Sequence, residues 1–177
     1  MRVVIVTGIY PPDIGGPATH ASDLRDALIA RGHRVVVLTL GDAAGVRREP
    51  GLVRWPRSWS WPRRHAAVVR WIVANRDRID AIYATGMHPA AVAGARVAGL
   101  PSVVKIVGDP VWERGRRQGL TEAEFEAFQG AGSGGARIRL MARLRDATLR
   151  SATAIVTPSE YLAQTVEGWL HGPADVE

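Results

Sequence analysis

The chain has 177 residues, 46% of them hydrophobic, with 23 Lys and Arg against 17 Asp and Glu and no cysteine. That length suits one domain able to bury about two-thirds of its unfolded surface, so no disulfide or structural metal is needed to hold it. The lack of cysteine excludes disulfides, thiolate metal sites and cysteine nucleophiles together, and no apolar run approaches the roughly 20 residues of a membrane span. The N-terminal apolar stretch is too short for a secretory leader and lacks a cleavage pattern, so the expectation is a soluble, cytoplasmic domain. The net charge of +6 is carried almost wholly by arginine, Lys105 being the only lysine. Such usage fits a GC-rich genome, and equally an anionic partner: nucleic acid, phospholipid headgroups or a phosphorylated substrate.

Residues 2–7 are a β-branched apolar run ending at Gly8, which reads as a buried strand. The loop Ile9-Tyr10-Pro11-Pro12-Asp13-Ile14-Gly15-Gly16 follows, and Pro17 suits the first turn of a helix. Ala21, Leu24 and Leu28 share one helical face, Gly32 suits the stop, and Val35-Val36-Val37-Leu38 is the next strand. These elements form one βαβ unit with a right-handed crossover. A weaker strand lies at 51–55, a helical stripe at Ala66, Val69, Ile72 and Val73, and another strand at 79–84. A small, alanine-rich helix from Pro89 to Ala98 ends at Gly99, and 102–107 is again strand-like.

Thr121 and Glu124 have capping-box spacing ahead of Phe125 and Phe128. Beyond the glycine-rich run 130–135, a helix over 136–150 places Arg139, Arg143, Asp146 and Arg150 on one face and Leu140, Met141 and Leu144 on another. A last strand at 153–157 precedes a helix carrying Leu162, Val166 and Trp169. The alternation predicts one doubly wound α/β domain over 1–177, with a mainly parallel Rossmann-like sheet and helices on both faces.

Ligands of such a sheet bind outside the carboxyl ends of its strands, which directs attention to the first loop. Gly15 and Gly16, ahead of a helix, can offer backbone N–H groups and a positive dipole end to a phosphate. The spacing is neither G-x-G-x-x-G nor a P-loop, and Pro11 and Pro12 stand where a short-chain dehydrogenase loop needs glycine, so a dinucleotide oxidoreductase is the weakest reading. No His, Asp and Glu set has metal-ligand spacing. Residues 54–65 pack three Trp and four Arg into twelve positions, a composition that suits an anionic membrane surface, single-stranded nucleic acid less well, or a loop whose tryptophans fold back on the sheet.

The first loop, followed by Leu24, Ala30-Arg31-Gly32-His33 and Val35-Val36-Val37, resembles the opening of family 4 glycosyltransferases, retaining enzymes of the GT-B fold. The likeness continues through Pro101-Ser102-Val103-Val104-Lys105-Ile106-Val107-Gly108-Asp109, Trp112-Glu113-Arg114, Phe128-Gln129 and residues 152–162. The resemblance implies that this chain is the N-terminal, acceptor-side domain, that Gly15 and Gly16 lie over the donor diphosphate, and that the donor is a nucleotide-sugar, with no cofactor or metal.

Around that cleft, Asp13 is either a turn residue or an acceptor contact, and Trp112 a sugar platform or a core residue. His20 is expected to face the cleft as an acceptor contact, and His88, on the ligand side, is either an acceptor contact or a decoration of the turn before Pro89. Asp109 can take a proton from an acceptor hydroxyl or cap the next segment. Lys105 is expected at the sheet edge or paired with Asp109 or Glu113. Many relatives carry a histidine where this chain has Gly108. The family's E-x7-E glutamates belong to a donor-binding C-terminal domain, and no glutamate pair here has that separation. An isolated half of a cleft, inactive alone, is the leading expectation; a non-catalytic nucleotide-, anion- or lipid-binding module is the alternative.

Overall fold

The computed structural model of the chain describes residues 1–130 and 135–171, so the middle of the glycine-rich run and the end of the tail, with Asp175, lie outside the described residues. The chain divides into two compact units, Met1–Lys105 and the residues from Ile106 onward. No change in composition marks that border, since the sequence runs apolar on either side of Lys105.

In the first unit the strands are β1 (Arg2–Val6), β2 (Arg34–Gly41), β3 (Arg47–Glu49), β4 (Leu52–Pro56), β5 (Ala81–Ala84) and β6 (Ser102–Lys105), lying in the order β3-β4-β2-β1-β5-β6. All pairings are parallel except the short edge strand β3, antiparallel to β4. Helix α1 (Gly16–Ala30) joins β1 to β2, α2 (Trp61–Ala74) carries the chain from β4 back across to β5, and α3 (His88–Ala98) joins β5 to β6. Right-handed crossovers running in opposite directions put α1 on one face and α2 with α3 on the other. This is the doubly wound, Rossmann-like sheet expected from the alternating apolar runs. The hairpin strand β3 has no such signal, because all three of its residues are charged and exposed.

Alternation along the strands fills both faces. Ile5, Val35, Val37 and Tyr83 pack against Ala21, Leu24 and Leu28 of α1. Their neighbours Val4, Val6, Leu38, Ile82 and Ala84 point the other way and are at most 2% exposed. The helix stops fall where expected: Pro17 sits in the first turn of α1, Gly32 follows its end with φ +79°, and Gly99 closes α3 with φ +69°. The small residues of α3 serve a close helix contact. A Cβ at Gly94 would lie 2.8 Å from Ile72 Cδ1 and 3.2 Å from Ile72 Cβ on α2.

The second unit contains α4 (Pro110–Arg117), α5 (Phe125–Gly130), α6 (Ala136–Arg150), β7 (Ala154–Val156) and α7 (Glu160–Leu170). Val111, Phe128 and Ile138 form its apolar centre, flanked by Trp112, Leu120 and Met141. Two expectations change here. The capping box does not form: Thr121 Oγ1 accepts the Ala123 N–H at 3.2 Å, Glu124 pairs with Arg116 at 3.5 Å, and α5 starts only at Phe125. A hydroxyl-to-backbone turn satisfies the threonine before the helix begins. On α6 the expected core stripe is displaced, leaving Leu140 67% and Leu144 46% exposed while Ile138, Thr148 and Leu149 are buried. The cause is Arg145, whose guanidinium turns inward to the fully buried Asp109. Among the described residues, no helix is long and apolar enough to cross a membrane.

The α2–α3 contact is directly testable. Gly94→Ala gains about 1 kcal/mol of helix propensity but forces Ile72 aside, an overpacking cost of about 1–3 kcal/mol. Urea denaturation should show a net loss of about 1 kcal/mol, smaller in an Ile72→Val background where Cδ1 is gone. Equal losses in both backgrounds would contradict the contact.

Candidate functional site

The chain leaves β1 toward β2 and later resumes on the opposite flank at β5, so strand order reverses between β1 and β5. A reversal of this kind opens a crevice at the carboxyl ends of the strands, where open α/β sheets bind ligands. Here the crevice walls are the loops after β1 and after β5, and they touch: a Cβ on Gly86 would lie 2.6 Å from the Gly8 nitrogen. Thr7, fully buried, donates its hydroxyl to Ile9 O at 2.9 Å, and the Thr85 N–H reaches Val6 O at 2.9 Å. Met87 then adopts φ +50° to open α3. Gly86 escapes sequence reasoning; its only signal is a glycine just past a strand end.

Gly15 caps α1 with φ +150°, a conformation open essentially to glycine alone, and its carbonyl accepts the Ala18 and Thr19 N–H groups at 2.9 and 3.1 Å. Pro17 has no N–H, so the donors facing out of this terminus are those of Gly15 and Gly16, neither of which has a partner among the described residues. The first turn carries no acidic side chain. Gly16 is exposed, and a Cβ there would meet nothing within 4 Å. The terminus of this 15-residue helix is therefore an open anion cradle with the positive dipole end behind it.

Two arginines from the Trp/Arg cluster tie the same loop down. Arg54 donates to Pro11 O at 2.6 Å, and Arg57 pairs with Asp13 at 2.8 Å and with Asp42 at 2.9 Å. Asp13 also accepts the Tyr10 N–H at 3.3 Å, so its carboxylate closes the turn and anchors Arg57. One of the three tryptophans folds back on the sheet edge, and Trp59 and Trp61 stay half-exposed. Trp55 is 5% exposed, Arg63 covers the Trp59 ring at 3.8 Å, and His65 stacks on Trp61 at 3.8 Å. Arg54, Arg57 and Trp55 thus work inward, on the loop and the sheet edge.

Beneath α1, His20 Nε2 lies 2.9 Å from the Tyr83 hydroxyl, and the Lys105 amine lies 3.3 Å from both ring nitrogens of His20. Burial, and then the Lys105 charge, lower the His20 pKa against a smaller opposing pull from Asp23; burial pushes Tyr83 up to about 12. Lys105 has no carboxylate within ion-pair distance among the described residues, so the expected pairing with Asp109 or Glu113 is replaced by an imidazole. His88, at the start of α3, bonds the Lys105 backbone carbonyl and is pushed by burial down to about 4. Its Nε2 is shielded from solvent and has no hydrogen-bond partner.

The remaining sequence-predicted residues lie in the second unit. Asp109 Oδ1 accepts the Val111 N–H at 2.8 Å, and Oδ2 accepts Gln129 at 2.9 Å and Arg145 at 2.8 Å. Arg145 in turn lies over the Trp169 ring at 3.7 Å, and the Trp169 indole donates to Gln129. With no exposure and both oxygens committed, Asp109 caps α4 and anchors α6; the proton-accepting alternative loses its geometric basis. Trp112 donates to Ala123 O at 2.9 Å and meets Phe125 edge-on, as a packing residue does. Gly108 admits the Glu113 carboxylate, which would stand 3.0 Å from a Cβ there. Among the described residues, no three His, Asp or Glu side chains come together as a metal set.

Removing the loop clamp with Arg57→Ala should cost little stability, about 0.5–1 kcal/mol for a half-exposed pair. Amide exchange at residues 9–16 should nevertheless accelerate several-fold, with Arg57→Lys intermediate; unchanged exchange would show that the clamp does not order the loop. His88 sets a pH dependence. It stays neutral in the fold to about pH 4 but takes a proton near 6.5 when unfolded, so stability falls as pH drops between those values. The loss approaches about 1.4 kcal/mol per pH unit at most. His88→Asn keeps a donor for the carbonyl without titrating, and should flatten the pH profile of urea midpoints between 6.5 and 4.5; an unflattened profile would refute the assignment.

No curated protein sequence matches the chain at a significant level. Several solved structures share its fold at low identity. A Listeria monocytogenes protein described as a UDP-N-acetylglucosamine 2-epimerase superposes with a TM-score of 0.63 at 13% identity, over 99% of this chain and 44% of its own. Anabaena HepE in complex with UDP gives 0.59 at 14% identity, over 100% and 43%. An alpha-glucosyltransferase in complex with UDP and DNA gives 0.53 at 14%, over 99% and 41%. The chain therefore spans less than half the length of these structures. Residues 15–177 match the family described as glycosyl transferase 4-like domain, and the chain belongs to that family.

Proposed function

We propose that the chain is the acceptor-side domain of a nucleotide-sugar-dependent glycosyltransferase that transfers a hexosyl group to a hydroxyl with retention of configuration. One observation carries the reading: the unpartnered N–H pair of Gly15 and Gly16 at the N-terminus of α1, beside the point where the sheet order reverses. Donors fixed at that place meet the negative charge that develops on a leaving diphosphate, and a rigid loop does so without reorganising. Family membership supports the reaction class, and the UDP complexes among the structures of like fold support a nucleotide-linked donor.

In this reading a second domain outside the 177 residues holds the base and sugar of the donor, so the chain alone binds fragments and does not turn over. The shielded Nε2 of His88 is a hydrogen-bonding position for an acceptor hydroxyl. The nucleotide-sugar is a substrate, and the reading calls for no cofactor.

Gly16→Val tests the proposal in the full-length protein. Because a Cβ at position 16 meets nothing within 4 Å, the fold should tolerate the change, while the added side chain fills the diphosphate position. Turnover should fall by about 10²–10³, the range for loss of a key oxyanion contact, with the thermal midpoint nearly unchanged. Wild-type turnover would sink the reading.

A further inference from the structure

Among the described residues, the charges at the ligand end of the sheet leave the Lys105 ammonium without a carboxylate in ion-pair distance. Asp13 is neutralised by Arg57, Asp80 by Arg2 at the opposite end, and Arg54 is held by backbone carbonyls. Lys105, the only lysine of the chain, is half-buried at the carboxyl end of β6 and touches an imidazole instead of a carboxylate. An ammonium has three donors, and a neutral imidazole can accept one of them at most. Half-burial removes part of its hydration, so an uncompensated charge here is costly until an anion arrives. With His20 in the Nε2–H tautomer, its ring donates to the Tyr83 oxygen at 2.9 Å and leaves the phenolic O–H free as a second kind of donor beside the ammonium. The amine meets His20 from α1, whose ring also holds the Tyr83 hydroxyl from β5; Asp23, one turn further along α1, is exposed and acts on His20.

We propose that Lys105, His20 and Tyr83 form an oxyanion subsite distinct from the Gly15–Gly16 cradle, and that it takes a carboxylate or phosphate group carried by the acceptor. The assignment of that group to an acceptor rests on the proposed function; the anion site itself does not. Lys105 supplies the charge, Tyr83 a directional donor, and His20 holds both side chains in place. A neutral sugar hydroxyl would leave the ammonium uncompensated, so the subsite discriminates in favour of acidic acceptors.

The single lysine makes the test direct. In the 177-residue chain labelled with ¹³Cε-lysine, inorganic phosphate should shift one resonance saturably in the millimolar range, and sodium chloride at equal ionic strength should not. Acetate alongside phosphate tells which oxyanion is preferred. Line broadening of the phosphate ³¹P signal, read in a Gly16→Val background that closes the glycine cradle, then tests the subsite: binding should persist in that background, weaken at least tenfold on adding Lys105→Gln and about threefold on adding Tyr83→Phe, and persist on adding Lys105→Arg. A non-saturating shift, or equal binding by Lys105→Gln, would overturn the subsite. Loss of binding in Gly16→Val would overturn it too, by assigning the anion to the diphosphate loop. Turnover of the full-length Gly16→Val protein is a separate readout, so failure of the transferase reading leaves these outcomes distinct.

Discussion

The architecture of the candidate site depends on one steric fact: Gly86 approaches the Gly8 amide so closely that no side chain fits between them. The reversal of strand order between β1 and β5 would open a crevice in any sheet of this topology, but a Cβ at 86 would push the two loops apart by most of an ångström to reach ordinary contact distance. With glycine there, the loop after β5 lies against the loop after β1, and α1 and α3 both begin at the same end of the sheet. The Gly15–Gly16 donors, the shielded His88 nitrogen and the Lys105 amine each sit on an element whose end the sheet register brings to this edge.

The arginine excess looks different once partners are assigned. Much of the charge in residues 54–65 is internal wiring: Arg54 and Arg57 fix the backbone of the proline-rich loop, and Arg63 lies over Trp59. Each half-exposed ion pair contributes about 1 kcal/mol or less, so the set matters for loop order more than for stability. Two prolines without N–H groups explain why arginine is used. Among the described residues the Pro11 carbonyl has no backbone donor, and the Arg54 guanidinium reaches it with a planar, directional N–H group.

Legibility in the sequence followed the range of the interactions. Strands, helices, their stops at Gly32 and Gly99, and the glycine loop are set by residues close in sequence, and apolar period and turn chemistry disclosed them. What stayed hidden is set by contacts between distant residues. Nothing near Leu140 or Leu144 announces that α6 turns them outward; the reason is Asp109, some thirty residues away, which is buried and needs Arg145. The same buried carboxylate explains why a residue at a strand's end, plausible as a proton acceptor by position, is consumed by structure. Lys105 was legible as an anomaly, a lysine amid β-branched residues, but its partner was not, because His20 meets it across 85 residues of chain. Gly86 carried no pattern at all.

The contrast between Asp109 and Lys105 separates framework from site on physical grounds. Both are ionisable groups at a strand's carboxyl end. Asp109 has no exposure and a full set of donors, two of them neutral and one cationic, so its charge is matched within the fold. Lys105 is half-buried, and among the described residues its amine meets an imidazole and no carboxylate. A fold selected only for stability would gain by giving that ammonium a carboxylate or replacing it with an apolar residue, since an uncompensated, partly desolvated charge is a net cost. Its place beside an anion-directed helix terminus is what the proposed oxyanion subsite accounts for. The unmatched group, rather than the well-bonded one, is where a ligand completes the structure.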